Sequence, residues 1–216
     1  MTVLSHQFTQ AVDYARIAHA SQVRKGSGIP YIYHLLGVAS LVLAYGGNED
    51  QAMAGLLHDV IEDCGAQHES IIRAQFGDVV ADIVVDCTDG TAEGKSQHVD
   101  QDAKRADWKA RKLTYLAHVR QESDASLLVS ACDKLHNANA IVDDLQNPEV
   151  GQAVFERFTA EREKTLGYYQ SLSEIFTERQ SSVARAFDAT VAQMHALANV
   201  PTRVGLQDMS LVLATA

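Results

Sequence analysis

The run His58-Asp59-Val60-Ile61-Glu62-Asp63 sets a histidine and three carboxylates directly after the apolar stretch Ala52-Met53-Ala54-Gly55-Leu56-Leu57. On an α-helix turning by about 100° per residue, His58, Asp59, Glu62 and Asp63 fall at about 0, 100, 40 and 140°, so all four share one face. Leu57, Val60, Ile61 and Cys64 take the other face. Such a face on a buried helix is costly unless something positive sits against it. A divalent cation is the simplest such partner, because imidazole nitrogen and carboxylate oxygen are ordinary donors to one.

The elements that must position these residues read as helices almost throughout, and the expected fold class is all-α. Phe8, Ala11, Val12, Ala15 and Ala18 keep the 3/4 spacing of an amphipathic helix that Ser5 can cap. Arg24-Lys25-Gly26-Ser27-Gly28-Ile29-Pro30 reads as a loop. A second helix is expected from about Tyr33 or His34 to Gly46-Gly47, and the acidic helix from about Glu49 to Cys64. A short helix from Gln67 to Gln75 follows, then one capped by Asp78 and running to about Cys87. The polar stretch Thr88 to Gln101 reads as a surface loop. Helices resume over Ala106 to Arg120, Ala125 to Leu145, Gly151 to Leu172 and Glu178 to Ala198, with Asn147-Pro148 breaking the second of these from the third. One domain is expected over residues 1–200, with 201–216 as a C-terminal tail.

Composition narrows the function classes. At 216 residues the chain can bury one sizeable core. No stretch reaches the eighteen or so apolar residues of a membrane span, and the N-terminus does not read as a signal peptide. Three cysteines (Cys64, Cys87, Cys132), an odd number with no CxxC pair, suit a reducing cytoplasm and small buried packing roles. A net charge of −10 opposes general nucleic-acid binding, which needs a basic surface. The basic residues are nevertheless concentrated: Lys95, Lys104, Arg105, Lys109, Arg111 and Lys112 outnumber Asp100, Asp102 and Asp107 within residues 95–112. A small polyanion could bind there; a solvated helix face is the simpler reading of the cluster alone.

Four separated fragments then look related: Arg24-Lys25 with Pro30-Tyr31-Ile32-Tyr33-His34; Leu56-Leu57-His58-Asp59 with Glu62-Asp63; Arg111-Lys112; and Cys132-Asp133-Lys134-Leu135-His136-Asn137. In this order, and over roughly residues 10 to 145, the sequence resembles the HD-domain metal phosphohydrolases of the RelA/SpoT type, and among them the free-standing small alarmone hydrolases of the stringent response. The resemblance implies an HD-type helical domain with one divalent metal, usually manganese, held by His34, His58, Asp59 and Asp133. It implies that Glu62 and Asp63 orient and deprotonate the attacking water. Arg24 and Lys25 would contact guanine and phosphates, Arg111 and Lys112 the pyrophosphate oxygens, and Asn137 the nucleotide. The implied activity is 3′-pyrophosphohydrolysis of ppGpp and pppGpp (guanosine 3′,5′-bis(diphosphate) and its pentaphosphate relative), giving pyrophosphate with GDP or GTP.

Tyr31 and Ile32 could shape a base pocket or simply pack, and Trp108 could be a packing anchor or touch a ligand. His136, beside Asp133, could support a ligand from behind. His19 fits a buried structural position, while His6, His68, His98, His118 and His195 show no ligand spacing. One departure stands out: relatives commonly continue past the asparagine as N-x-R, whereas this chain has Asn137-Ala138-Asn139. That keeps two alternatives open, a phosphohydrolase of another nucleotide such as NADPH or a nucleoside phosphate, and a nucleotide-binding module without turnover. The expected partner is a small guanosine polyphosphate, with no nucleic acid and no membrane; a homo-dimer is compatible with such a helical body.

Overall fold

The structure is a computed structural model that describes residues 2–88 and 100–208. The expected loop at Thr88 to Gln101, with Lys95 and His98, therefore falls mostly outside the described residues, as does the tail beyond residue 208. The fold is all-α: among the described residues the extended backbone pairs only at one isolated bridge, Val23 with Pro30. Two compact units divide the chain, Met1–Lys95 with Glu122–His136, and Ser96–Gln121 with Asn137–Ala216.

The first unit contains α1 (His6–Ala18), α2 (Ile32–Ala44), α3 (Glu49–Leu57), α4 (Val60–Cys64), α5 (His68–Phe76) and α6 (Asp78–Cys87), together with the first part of a 23-residue helix, α8 (Asp124–Gln146). The Ser5 hydroxyl accepts from the Gln7 amide as the expected cap of α1. Asn48 and Gln51 close a capping box on α3, satisfying two amides that helix geometry leaves open. Ala52, Met53, Ala54, Leu56 and Leu57 are all buried on α3, which packs against α1, α2 and α6 and so forms the centre of this unit. The α2–α3 contact is close because Gly55 lacks a side chain; a Cβ there would lie 3.3 Å from the Ala39 Cα.

The acidic segment is not the single helix expected from its periodicity. The ladder breaks at His58-Asp59, between α3 and α4. The Gly55 carbonyl, which the Asp59 amide would use in an unbroken helix, lies 2.9 Å from the His58 ring Nδ1. Asp59 relaxes to φ −92°, ψ −5°. A smaller difference lies at α6, where Gly77, at φ 92°, takes the cap position and Asp78 is the first helical residue, paired to Arg73 at 3.0 Å.

The second unit holds α7 (Gln101–Val119), the last turns of α8, a 3-10 helix at Gly151–Arg157, α9 (Arg162–Glu178) and α10 (Ala184–Leu197). The α7 helix starts earlier than its apolar spacing suggests, because the Asp100 carboxylate caps it through the Ala103 amide at 3.1 Å. The expected continuous helix from Gly151 to Leu172 is interrupted: Phe158 and Glu161 hold ψ values of 147° and 163°, outside any α-helix. Likewise α10 begins at Ala184 rather than Glu178, after a turn in which Gln180 adopts φ 54°. Aromatic rings fill this unit, with Trp108 edge-on to Tyr168 and Phe187 between Tyr169 and Phe176. Trp108 thus packs. Of the expected tail, Leu206 is fully buried, and its amide lies 3.0 Å from the Gly167 carbonyl.

Candidate metal site

The close α2–α3 packing brings His34 and His58 together. Their side chains are 1% and 2% exposed, yet neither Nε2 has a hydrogen-bond partner. A buried, unsatisfied imidazole nitrogen is expensive, and two of them aimed at one point call for a ligand. Two carboxylates share that point. Asp59, at the head of α4, brings Oδ2 to 3.1 Å from His58 Nε2 and 3.6 Å from His34 Nε2. Asp133, on α8, brings Oδ1 to 3.1 Å from His34 Nε2 and 3.5 Å from His58 Nε2. Donors about 2.1 Å from a common ion stand about 3.0 to 3.4 Å apart in octahedral or tetrahedral geometry. Two of the four observed spacings fall within that range and two lie 0.1–0.2 Å beyond it, so the donor set is compatible with a divalent cation. His34, His58 and Asp59 form the one such cluster of three or more found among the described residues.

The neighbours of these four fix their orientation. The His58 Nδ1 faces the Gly55 carbonyl at 2.9 Å, and the His34 Nδ1 faces Nδ1 of His136 at 3.0 Å. The Tyr31 hydroxyl donates to Asp59 Oδ2 at 2.7 Å. The Lys134 ammonium bonds Asp133 Oδ2 at 2.6 Å, which leaves Oδ1 for the imidazoles. Burial opposes charge on Asp59, but His58 and His34 outweigh it and hold the carboxyl well below its ordinary range. Burial is outweighed in the same way at Asp133, by Lys134 and His58. On His58, Asp59 and Asp133 overcome burial and raise the imidazole pKa well above its ordinary value. Burial, then the His34 ring, push His136 down to about 4, so it is neutral. Burial and Asp59 push the Tyr31 phenol up, which keeps it a donor.

Arg24 begins a tight loop in which Gly26 and Gly28 adopt φ 80° and 69°, and the Arg24 amide donates to the Ile29 carbonyl at 2.8 Å. Positive φ at both positions is what glycine allows. The loop sets the Arg24 guanidinium 5.9 Å from the Tyr31 ring centre, while Lys25 is exposed. His19, buried as expected, stacks on Tyr31 with ring centres 5.0 Å apart. Tyr31 therefore links the Arg24 loop to Asp59, a role that its sequence context did not reveal. Glu62 and Asp63 are half-buried on α4, with the Asp63 amide bonded to the Asp59 carbonyl at 2.9 Å.

Arg111, Lys112 and Asn137 belong to the second unit. Arg111 pairs with Asp107 at 3.1 Å, and the Lys112 ammonium lies over the Tyr168 and Tyr115 rings at 5.1 and 5.7 Å. Asn137 follows Asp133 by one turn of α8 and is half-buried. Asn139, at the position where the family resemblance leads one to expect arginine, is exposed and accepts from Thr190 at 3.0 Å. All three cysteines are free; burial raises Cys132 to about 12 and Cys64 to about 11, so both are thiols and not nucleophiles at neutral pH.

Comparison with known proteins shows the family of the chain. The profile of the HD domain matches residues 11–166. A probable guanosine-3′,5′-bis(diphosphate) 3′-pyrophosphohydrolase of Mycoplasma pneumoniae is 33% identical over 133 residues, which are 62% of this chain. The chain spans only 18% of that protein's length. The guanosine-3′,5′-bis(diphosphate) 3′-pyrophosphohydrolase MESH1 of Drosophila melanogaster is 30% identical over 139 residues, covering 63% of this chain and 70% of the fly protein. A solved structure of a metazoan SpoT ortholog that hydrolyses ppGpp superposes with a TM-score of 0.65, over 91% of this chain and 99% of that one, at 22% identity. That likeness is one of fold.

Proposed function

The chain belongs to the HD domain family, and from that premise we propose that it is a manganese-dependent 3′-pyrophosphohydrolase of ppGpp and pppGpp. The observation that carries the reading is the pair of buried Nε2 atoms of His34 and His58, which make no hydrogen bond and lie within 3.6 Å of carboxylate oxygens of Asp59 and Asp133. The substrate rests on the relatives, which are named for this reaction.

In this reading His34, His58, Asp59 and Asp133 hold one divalent ion, with manganese suited to a mixed nitrogen and oxygen donor set. When bound, the ion lowers the pKa of a coordinated water and polarises a phosphoryl oxygen. Glu62 and Asp63, one turn past Asp59, take the proton of the attacking water and return one to the departing ribose oxygen. Attack falls on the phosphorus joined to the ribose 3′ oxygen, whose P–O bond breaks. Pyrophosphate leaves, and GDP or GTP retains a 3′ hydroxyl. Arg24 supplies a planar cation suited to stacking on guanine, and Lys25 a mobile charge for phosphate. Arg111 and Lys112 neutralise pyrophosphate oxygens, and Asn137 bonds the nucleotide.

Product analysis of the purified protein with ppGpp tests the proposal. GDP and pyrophosphate should appear with manganese, and neither without metal nor with Asp59→Ala. Asn139 in place of an arginine makes a nucleotide panel the natural companion. Faster turnover of NADPH or a nucleoside phosphate than of ppGpp would reassign the substrate, and tight ppGpp binding without hydrolysis would make the chain a binding module.

A further inference from the structure

The orientation of His34 depends on a second histidine that is not itself one of the four converging donors. The two Nδ1 atoms of His34 and His136 are 3.0 Å apart, so one carries the shared proton and the other accepts it. His34 Nε2 points at Asp133 Oδ1 and Asp59 Oδ2 and must offer a lone pair if it is to bind a cation. A neutral imidazole has one N–H, so the proton of His34 must sit on Nδ1. His136 Nδ1 is then the acceptor, and the His136 proton sits on Nε2.

The ring of His136 is held from three sides. His34 meets it edge-on with centroids 4.8 Å apart, and Tyr33 meets it edge-on at 5.3 Å. On the third side lies Gly37, one turn beyond His34 on α2. A Cβ at Gly37 would stand 2.2 Å from His136 Nε2 and 2.3 Å from its Cδ2. No side chain other than hydrogen fits there while the ring stays in place. Gly37 has no positive φ to account for it. Its absent side chain is the space the ring occupies.

We propose that His136, seated against Gly37, is a positioning residue that fixes the tautomer and tilt of His34 and thereby sets the affinity of the site for its divalent cation. The proposal rests on the metal-site reading given above and extends it to two residues outside the four-donor set. A histidine acceptor differs in kind from the carboxylate that commonly backs a metal-bound imidazole. It brings no third negative charge into a site that already holds Asp59 and Asp133. The His58 ring is backed in the same uncharged way, by the Gly55 carbonyl.

The test is manganese and cobalt affinity measured by titration calorimetry on the full chain, with no nucleotide present. His136→Leu removes the acceptor, and loss of such a partner typically weakens metal binding by about 10 to 100-fold. Gly37→Ala acts from the opposite side and should reproduce a loss of that order by displacing the ring. His136→Asn, whose amide oxygen can take the place of Nδ1, should recover affinity to within about threefold of the parent. Thermal melts of the metal-free variants identify any that have simply lost the fold, and the asparagine variant decides the matter even if leucine is not tolerated. Affinity unchanged in folded His136→Leu and Gly37→Ala would overturn the proposal while leaving the four donors intact. Equal losses in the leucine and asparagine variants would also overturn it, because packing alone would then explain both. A parent protein that binds neither metal would overturn the metal-site reading and this inference with it.

Discussion

Asp133 divides its two oxygens, giving Oδ2 to Lys134 at 2.6 Å and Oδ1 to the imidazoles, while Asp59 takes a proton donor from Tyr31 and faces both histidines with the same Oδ2. Without a metal, a protonated His58 and the Lys134 ammonium would balance the Asp59 and Asp133 carboxylates. A metal needs the His58 lone pair, so binding must expel that proton. Because the His58 pKa is raised in the metal-free fold, the proton is present around neutrality, and affinity should rise with pH by up to about tenfold per unit until His58 is deprotonated. Calorimetry in buffers of different ionisation enthalpy reads the released proton directly, and a binding heat independent of buffer would contradict the mechanism. Tyr31→Phe deletes one charge-assisted hydrogen bond and should weaken metal binding by about tenfold. Glu62→Ala should behave in the opposite way, keeping the metal while turnover falls by about 10²-fold or more; normal turnover would remove Glu62 from the chemistry. His34, His58, Asp59 and Asp133 could be singled out together through the family resemblance that their ordered motifs carry. The fold brings their side chains within 3.6 Å of one another across the histidine–aspartate pairs. Tyr31 could not be singled out in this way, because a Pro-Tyr-Ile stretch is equally at home in a core, and only the folded loop shows its hydroxyl on Asp59.

The donors approach because α2 and α3 pack closely at Gly55, with His34 on α2 and His58 at the C-terminal end of α3. Gly55→Val would drive a branched side chain into Ala39 and Val38, with the nearest backbone atom 3.3 Å from the new Cβ. Overpacking of this sort costs about 1–3 kcal/mol. Denaturant unfolding should show that loss, and metal affinity should fall with it, since the spacing of His34 and His58 is set by the same contact. Helical periodicity identified both helices and their burial, as well as the loop marked by Gly26, Gly28 and Pro30. It could not identify the break at His58-Asp59, because an amphipathic stripe runs through the break unchanged. The cause is a competition for the Gly55 carbonyl between the Asp59 amide and the His58 ring, and spacing carries no trace of it. The merged reading of Gly151 to Leu172 fails similarly: Val154, Phe155, Ala160 and Leu166 are all buried, but a 3-10 helix, an irregular turn and the start of α9 bring them inside in succession where one α-helix was expected.

For the chain as a whole, the candidate metal site ties local chemistry to global stability. Its ligands come from α2, the α3–α4 junction and α8, elements separated by up to a hundred residues in sequence, so a bound ion cross-links much of the first unit. An ion that binds the folded state alone stabilises it by about 2.7 kcal/mol at a hundredfold excess over its dissociation constant. For a chain of this length that corresponds to a rise of about 5–10 °C in melting temperature. Chelation should reverse the shift, and Asp59→Ala should melt at the same temperature with and without manganese. The metal-free Asp59→Ala protein also tests what holds the cluster together without an ion. His58 would lose one of the two carboxylates that raise its pKa, so less of the stability contributed by the charged ring would survive at neutral pH. A group whose folded-state pKa is raised contributes fully below its unfolded pKa and loses that contribution as pH climbs through the folded value. The metal-free parent should therefore lose stability as pH rises above neutrality, and the metal-loaded protein should not, because its ion takes over the role of the His58 proton. Melting curves of both forms across that range measure the exchange: a parallel loss in the two would show that the proton and the metal do not compete for the same nitrogen.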